Sequence, residues 1–346
     1  MKNIYILKKT LYFILVAVWL GCITGCEKSE NNNPYQFTTD SLLTFRLTKL
    51  LDEQSINGIA GKAYNPVGVR QSGDTLFIAN RADGADGVWV VRASTGELLK
   101  DLTEWTYQGQ KEVFDNQVID VAVNSNYIFV VNRSSRIDMF RRSDYSYVTT
   151  IGKTGWQSSP LLQCEAAEAV GNKLFIRDKH RVKVVRLEDC TPENRFKVPI
   201  FAQSVDSTTQ NNGFHVESLI EQNGLVYVSD YESYAIYVID PQSVTVKDEP
   251  VRFIRSYRFA AKPLGMDFYK GRLYVVCADK SIVCVDPQTG KSLGRYTGFA
   301  TGISWDDPAR IYFVGNEFYL LSRYANKPWL KKGVMSFVEI SHINQP

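Results

Sequence analysis

Apolar and polar residues alternate along this chain in short runs, and one run returns six times. It reads Leu76-Phe77-Ile78-Ala79-Asn80, Ile128-Phe129-Val130-Val131-Asn132, Leu174-Phe175-Ile176-Arg177-Asp178, Val226-Tyr227-Val228-Ser229-Asp230, Leu273-Tyr274-Val275-Val276-Cys277 and Phe318-Tyr319-Leu320-Leu321-Ser322. The second place is always Phe or Tyr. Successive aromatics lie 52, 46, 52, 47 and 45 residues apart. Side chains of a strand alternate between two faces, so each quintet reads as one strand. Strand-like repeats at this period mark a β-propeller, in which one repeat is one four-stranded blade. Six repeats predict an all-β, six-bladed fold.

Two further strands flank each quintet. After it come Gly87–Val91, Ile137–Phe140, Val182–Val185, Ile236–Ile239, Ile282–Val285 and Ser336–Ile340. Before it come Val67–Val69, Ile119–Val121, Glu168–Val170, Ser218–Ile220 and Gly265–Phe268; in the last unit Gly302–Trp305 and Ile311–Val314 compete. Nothing after Ile340 supplies a fourth strand to the last unit. Leu42–Leu47 stands alone before the first unit and is expected to pair there, closing the ring and removing an open sheet edge. The alternative for residues 41–52 is an amphipathic helix.

The quintets, together with Pro66-Val67-Gly68 and Pro263-Leu264-Gly265, resemble the NHL and six-bladed propeller lipoproteins of the Bacteroidota type over residues 41–340. That resemblance implies an exported, lipid-anchored binding or interaction module. The fifth and sixth quintets depart from its Asn/Asp ending, with Cys277 and Ser322.

The start of the chain agrees with export. Lys2, Lys8 and Lys9 precede an apolar run at residues 11–20, and Ile23-Thr24-Gly25-Cys26 follows. A basic stretch, a short apolar run and small residues form a secretory signal. The last four residues resemble a bacterial lipobox, so Cys26 is the expected lipidation (palmitate) site and residues 1–25 the signal peptide; Cys22 is the rival. Residues 26–40 are polar and read as anchor and flexible tether. Glu27-Lys28-Ser29-Glu30 loosely resembles a surface-export signal. The domain proper is then 41–346, and the expected location is the outer membrane, on the cell surface or periplasmic face. Lys and Arg number 40 against 37 Asp and Glu. Losing the three signal lysines leaves the mature chain neutral, which disfavours a nucleic-acid partner.

Residues before the inner strands and after the quintets must emerge on one face. They are Asn65, Asn116, Gln117, Glu165, His215, Glu217 and Lys262, with Asn80, Asn132, Asp178 and Asp230 at strand ends and Arg133, Arg136, Lys179, His180 and Arg181 in the loops beyond. Polar groups around a central hollow make a candidate ligand site. Asn and Asp at strand ends also bond their own loops, which is the competing role. The cluster is locally basic, so it suits an anionic group, a sugar or a peptide. Trp105, Tyr107, Trp156, Tyr231, Tyr234, Tyr324 and Trp329 fall in predicted loops and offer stacking surfaces or packing.

No cofactor is expected. The alternative is a divalent-metal hydrolase or lactonase. Gluconolactonase-like propellers hold a calcium-type ion on Glu, Asn and Asp, and Glu217, Asn116, Asn212 and Asp230 are of the right type. No spacing enforces a cage, and Asp83–Gly87 lacks the glutamate of an EF-hand loop. His180, His215 and His342 form no zinc pattern. His215 beside Glu217 is a compact acid–base pair. Cys164 with Cys190 and Cys277 with Cys284 are candidate disulfides, or four buried thiols. The leading function is a non-enzymatic binding module with a protein partner, as an accessory of an outer-membrane nutrient uptake complex. A scaffold in outer-membrane protein assembly is the third reading.

Overall fold

All six quintets fold as the last five residues of six-residue strands. In the computed structural model β1 spans Ser41–Leu51. The first unit follows as β2 (Pro66–Ser72), β3 (Thr75–Asn80), β4 (Gly87–Arg92) and β5 (Leu98–Leu102), then a hairpin of β6 (Glu104–Tyr107) and β7 (Gln110–Val113). The second unit is β8 (Val118–Val123), β9 (Tyr127–Asn132), β10 (Arg136–Arg141) and β11 (Tyr147–Gly152). The third is β12 (Cys164–Val170), β13 (Lys173–Asp178), β14 (Arg181–Arg186) and the short β15 (Ala202–Ser204). The fourth is β16 (Val216–Gln222), β17 (Leu225–Asp230) and β18 (Ala235–Ile239), then β19 (Pro250–Val251) and β20 (Phe253–Arg258). The fifth is β21 (Pro263–Tyr269), β22 (Arg272–Cys277), β23 (Ile282–Val285) and β24 (Ser292–Tyr296). The last is β25 (Pro308–Val314), β26 (Glu317–Ser322) and β27 (Leu330–Glu339).

The structure describes residues 41–51, 55–59, 62–82, 86–114, 118–133, 135–153, 159–179, 181–204, 216–299, 305, 307–322 and 330–339. The expected signal peptide, Cys26 and tether lie outside them. Among the described residues no helix is long and apolar enough to cross a membrane.

The architecture is an all-β propeller with four-stranded blades. Five sheets have four strands each, and four of these run in simple sequence order or its near equivalent. The expectation of four strands in every unit needs one correction. The third unit's sheet has five strands, in the order β12-β13-β14-β15-β19. Its outer strand β15 is three residues long, and β19, from the fourth unit's stretch of chain, pairs with it in parallel. Pro192 and Pro199 punctuate the long connection from β14 to β15, and proline withholds the N–H that a longer ladder needs.

Residues 42–47 are strand, not helix. β1 pairs antiparallel with β27, from Ser41 opposite Glu339 to Leu51 opposite Leu330, with an irregularity between Leu47 and Lys49. In the last unit Ile311–Val314 is the inner strand, within β25, and β1 lies at the far edge of the order β1-β27-β26-β25. The strands that begin each unit pack side by side: β2 on β8, β8 on β12, β12 on β16, β16 on β21, β21 on β25 and β25 on β2.

Between the sheets lies a core built by the quintets. Their six aromatics, Phe77, Phe129, Phe175, Tyr227, Tyr274 and Tyr319, are all buried. Each such burial stabilises the fold by about 1.5–3 kcal/mol. Phe45 of β1 is 1% exposed and meets Tyr296, Trp305 and Phe318 edge-on, with ring centroids 5.0, 5.6 and 5.2 Å away. The first strand therefore supplies core as well as edge pairing. Phe45→Ala is expected to cost about 3–5 kcal/mol, the usual loss for a large buried aromatic. Deletion through Leu47 should lower the melting temperature sharply, whereas deletion of 27–40 alone should leave it in place; equal melting of the two truncations would contradict the role given to β1.

Candidate functional site

Every inner strand is irregular at the same place. Its register against the quintet strand shifts between Pro66 and Gly68, Val118 and Asp120, Cys164 and Ala166, Val216 and Ser218, Pro263 and Met266, and Pro308 and Arg310. A bulge adds a residue on one strand and re-aims the side chains around it. In four units the residue after the strand's first is apolar: Val67, Ile119, Leu264 and Ala309. In the third and fourth it is Glu165 and Glu217. Arg177 lies between these two. Its Nη1 pairs with Glu165 and stands 3.9 Å from Glu217 Oε2. Arg133 Nη2 is 3.7 Å from Glu165 Oε1. Arg177 is 2% exposed, and burial lowers its pKa against the pull of Glu217 and Glu165.

Deeper in, charged side chains reach over the axis. Arg310 of β25 sets Nη1 at 2.7 Å from Asp120 Oδ1 of β8 and donates Nη2 to the Glu165 carbonyl of β12 at 3.3 Å. Arg70 of β2 lies 3.9 Å from Asp120 and 3.6 Å from Glu168, and its guanidinium stacks 4.5 Å from the Tyr312 ring. Asp267 of β21 accepts from the backbone N–H of Phe268 and Phe313, each at 2.6 Å. The Pro-x-Gly motifs make room for this network. A Cβ on Gly68 would stand 2.7 Å from Asp120 Oδ1, and one on Gly265 would stand 2.6 Å from the Arg310 Cα. Residues read as a fold signature thus clear space for the channel's ion pair.

The sequence-derived candidates divide into three groups. Asn116, His180 and His215 lie outside the described residues, as do Gln117, Asn212, Trp156, Tyr324 and Trp329. A second group is bonded within local structure, which for the strand-end Asn and Asp is the competing role. Asn80 accepts from Asn65 N–H at 2.7 Å and donates to the Ala63 carbonyl. Asn132 donates to Asp138. Asp178 accepts from Leu162 N–H at 2.7 Å and Gln163 N–H at 2.6 Å, and pairs with Lys183. Asp230 accepts from Glu232 N–H and Ser233. Arg136 is 6% exposed, bonded to Asp138 and the Val113 carbonyl, and lies over Trp105. These groups fasten loops because a buried polar atom needs a partner and the nearest ones are backbone. Trp105 is likewise packed, against Phe114, Phe140 and Tyr147. Tyr107 packs on Tyr147 and under Arg195.

The third group stays at the mouth. Glu165 and Glu217 are half-buried beside Arg177, Arg133 is 51% exposed, and Lys179 and Arg181 are partly exposed. Lys262 lies 4.1 Å from the Tyr231 ring, 5.5 Å from Tyr234 and 3.3 Å from Glu232. Five large hydrophobics are exposed among the described residues, and three of them, Val113, Leu162 and Tyr234, stand at this end of the units. Sequence reading missed Arg70, Asp120, Glu168, Arg177, Asp267 and Arg310. A signal existed: Arg177 fills a quintet place held elsewhere by Ala79, Val131, Ser229, Val276 and Leu321.

Of the two readings of the cysteines, the structure has the buried thiols. All four thiols are free and buried. Cys164 pairs with Asp178 at one end of β13, while Cys190 follows the end of β14 that pairs with Lys173, at the other. Cys284 stands opposite Tyr274, and it packs in a different core cluster from Cys277, on the other side of the sheet. Burial pushes the Cys190 and Cys277 thiols up to about 12. Among the described residues no group of three or more His, Cys, Asp or Glu is placed to hold a metal ion. An open cleft of about 410 Å³, lined by Ser125, Asn126, Tyr127, Arg141, Arg142 and Ser143, lies at the opposite end of the second unit.

No protein-family model matches the chain, and no curated protein matches it. Solved structures do. The structure of U3-55K is similar with a TM-score of 0.55 and 10% identity, over 83% of this chain and 79% of that one. The crystal structure of the RRP9 WD40 repeats gives 0.55 and 10%, over 81% and 79%. At that identity the likeness shows the β-propeller fold alone.

The channel network gives an unusual pH dependence. Burial, with Asp120, Asp267 and Glu221 nearby, raises Glu168 to about 7 against the pull of Arg70. Burial raises Asp267 to about 7 against its two backbone donors. An unfolded Glu or Asp titrates near about 4. Between about pH 4 and pH 7 the folded chain therefore holds more protons, so these groups lower stability as pH rises through that window, by on the order of 1 kcal/mol per unit each. Urea midpoints of Glu168→Gln across pH 4–8 should show a flatter fall than the parent; parallel curves would contradict it.

Proposed function

We propose that the chain is a six-bladed propeller, closed by β1, that works as a binding module through the mouth where its inner strands begin. The five-stranded third sheet takes a blade's place in the ring. The observation that carries the functional reading is the contrast between axis and mouth. Along the axis, Arg310 and Arg70 both form ion pairs with the buried Asp120 across the strands. At the mouth, Tyr234 is 39% exposed with Lys262 5.5 Å from its ring, and Leu162 is 41% exposed. Apolar and aromatic groups with a charged rim make a protein-recognition surface. The propeller fold is consistent with an interaction module, although fold alone does not decide function.

The reading extends to the cell envelope through the sequence. Cys26 carries the lipid, residues 27–40 hold the propeller off the membrane, and the partner belongs to an outer-membrane nutrient uptake complex. Cys26→Ser should move the protein from the membrane to the soluble fraction; full retention of the variant in membranes would count against the anchor. Capture from detergent-solubilised native membranes tests the mouth. Leu162→Ser with Tyr234→Ala should melt like the parent yet recover about tenfold less partner, as loss of central anchors does. Unchanged recovery would overturn the mouth reading.

A further inference from the structure

One repeat position has a recurring charge pattern, although one of its members, Arg133, also lies 3.7 Å from Glu165. The residue after each quintet is, in order, Arg81, Arg133, Lys179, Tyr231, Ala278 and Arg323. Three consecutive described units thus carry a cation there; Arg323 lies outside the described residues. The fold holds this position in a fixed way. The backbone N–H of Arg81, Lys179 and Ala278 each donates at 2.9 Å to the carbonyl just before the inner strand, on Asn65, Gln163 and Lys262. The side chains therefore rise from anchored backbone at the rim.

Two features separate these cations from ordinary surface charge. Arg81 and Arg133 sit close enough that, after burial, the Arg133 charge is the next cause lowering the Arg81 pKa, with Asp86 opposing it. Like charges held together favour an anion between them. Asp86 is 6% exposed and accepts from Val118 N–H, so it faces the sheet. Lys179 takes φ +53°, a backbone conformation that glycine or asparagine adopts with less strain. A lysine stands there nonetheless.

We propose that Arg81, Arg133 and Lys179 form a cationic arc over three units that docks an acidic, extended segment of a partner protein, with Leu162 as its apolar anchor. This rests on the mouth being the binding face. Leu162 stands directly before β12, between the Arg133 and Lys179 loops in chain order, and is 41% exposed. Exposed Val113 and Tyr234 share that end of the units. Apolar groups beside the cations fit a polypeptide better than a polyphosphate, whose affinity grows with the number of phosphates neutralised. The neutral mature chain adds no wider positive field to hold one.

The test uses the lipid-free mature chain and a labelled oligo-glutamate peptide with one central leucine. Oligo-lysine and an oligothymidylate of equal charge are the other probes. The acidic peptide should bind, and binding should weaken steeply between about 0.05 and 0.3 M salt. Arg81→Ser with Arg133→Ser should weaken it about tenfold or more. Arg141→Ser with Lys270→Ser removes two cations from turns at the other end and should leave it within about twofold. If the double arc variant melts early, Arg133→Glu alone is read, because that side chain is half exposed. Absence of binding, or binding indifferent to Arg81 and Arg133, overturns the arc. Equal binding of the oligothymidylate through the same residues overturns the peptide occupant. If the arc fails while membrane capture still depends on Leu162 and Tyr234, the mouth reading stands; if capture is also indifferent to them, both fall.

Discussion

The strands that begin each unit run side by side around an axis, and that axis has to be filled. Here a buried ion bridge fills it. Arg310 reaches from the last unit to Asp120 of the second and to the Glu165 carbonyl of the third, and Arg70 joins Asp120 to Glu168. Breaking such a bridge on one side strands a charge in a poor solvent, which costs far more than the bridge itself gains. Much else follows from it. Gly68 and Gly265 must lack side chains so that Asp120 and the Arg310 backbone can approach. Glu168 and Asp267 are forced to share a space where neither ionises easily.

The same bridge divides the molecule by task. Charges along the axis are used internally, as are the strand-end Asn and Asp residues. In the proposed function, recognition falls to the rim, where loops present cations and a few apolar side chains. The bulge at the start of each inner strand links the two zones. It aims Glu165 and Glu217 at Arg177 in the third and fourth units and leaves apolar residues at that place elsewhere.

The strands were legible in the sequence because each quintet must bury its aromatic and its alternate neighbours, and burial writes a period of two into the residues. The pairing partner of Leu42–Leu47 was legible from a missing strand. The site was less so. Asp178 and Arg136 have the residue types of a ligand site, but their partners are loop backbone and Asp138, fixed by tertiary approach rather than spacing. Asp120 and Arg310 gave no signal, because the partner of each lies in another unit. The cysteine spacing left disulfides and buried thiols both open for a similar reason: nearness along the chain says nothing about which side or end of a sheet a thiol occupies. The five-stranded third sheet escaped notice because β15 and β19 are too short to show alternation.

Hydrogen exchange, read by mass spectrometry with and without the acidic peptide, tests the central claim most directly. The account predicts protection confined to the loops after β3, β9 and β13 and to the stretch around Leu162, with the inner strands already slow in both states. Protection at Ser125–Tyr127 and Arg141–Ser143 instead, or faster exchange along β8 and β25, would mean that the ligand uses the opposite end or opens the axis, and would contradict it.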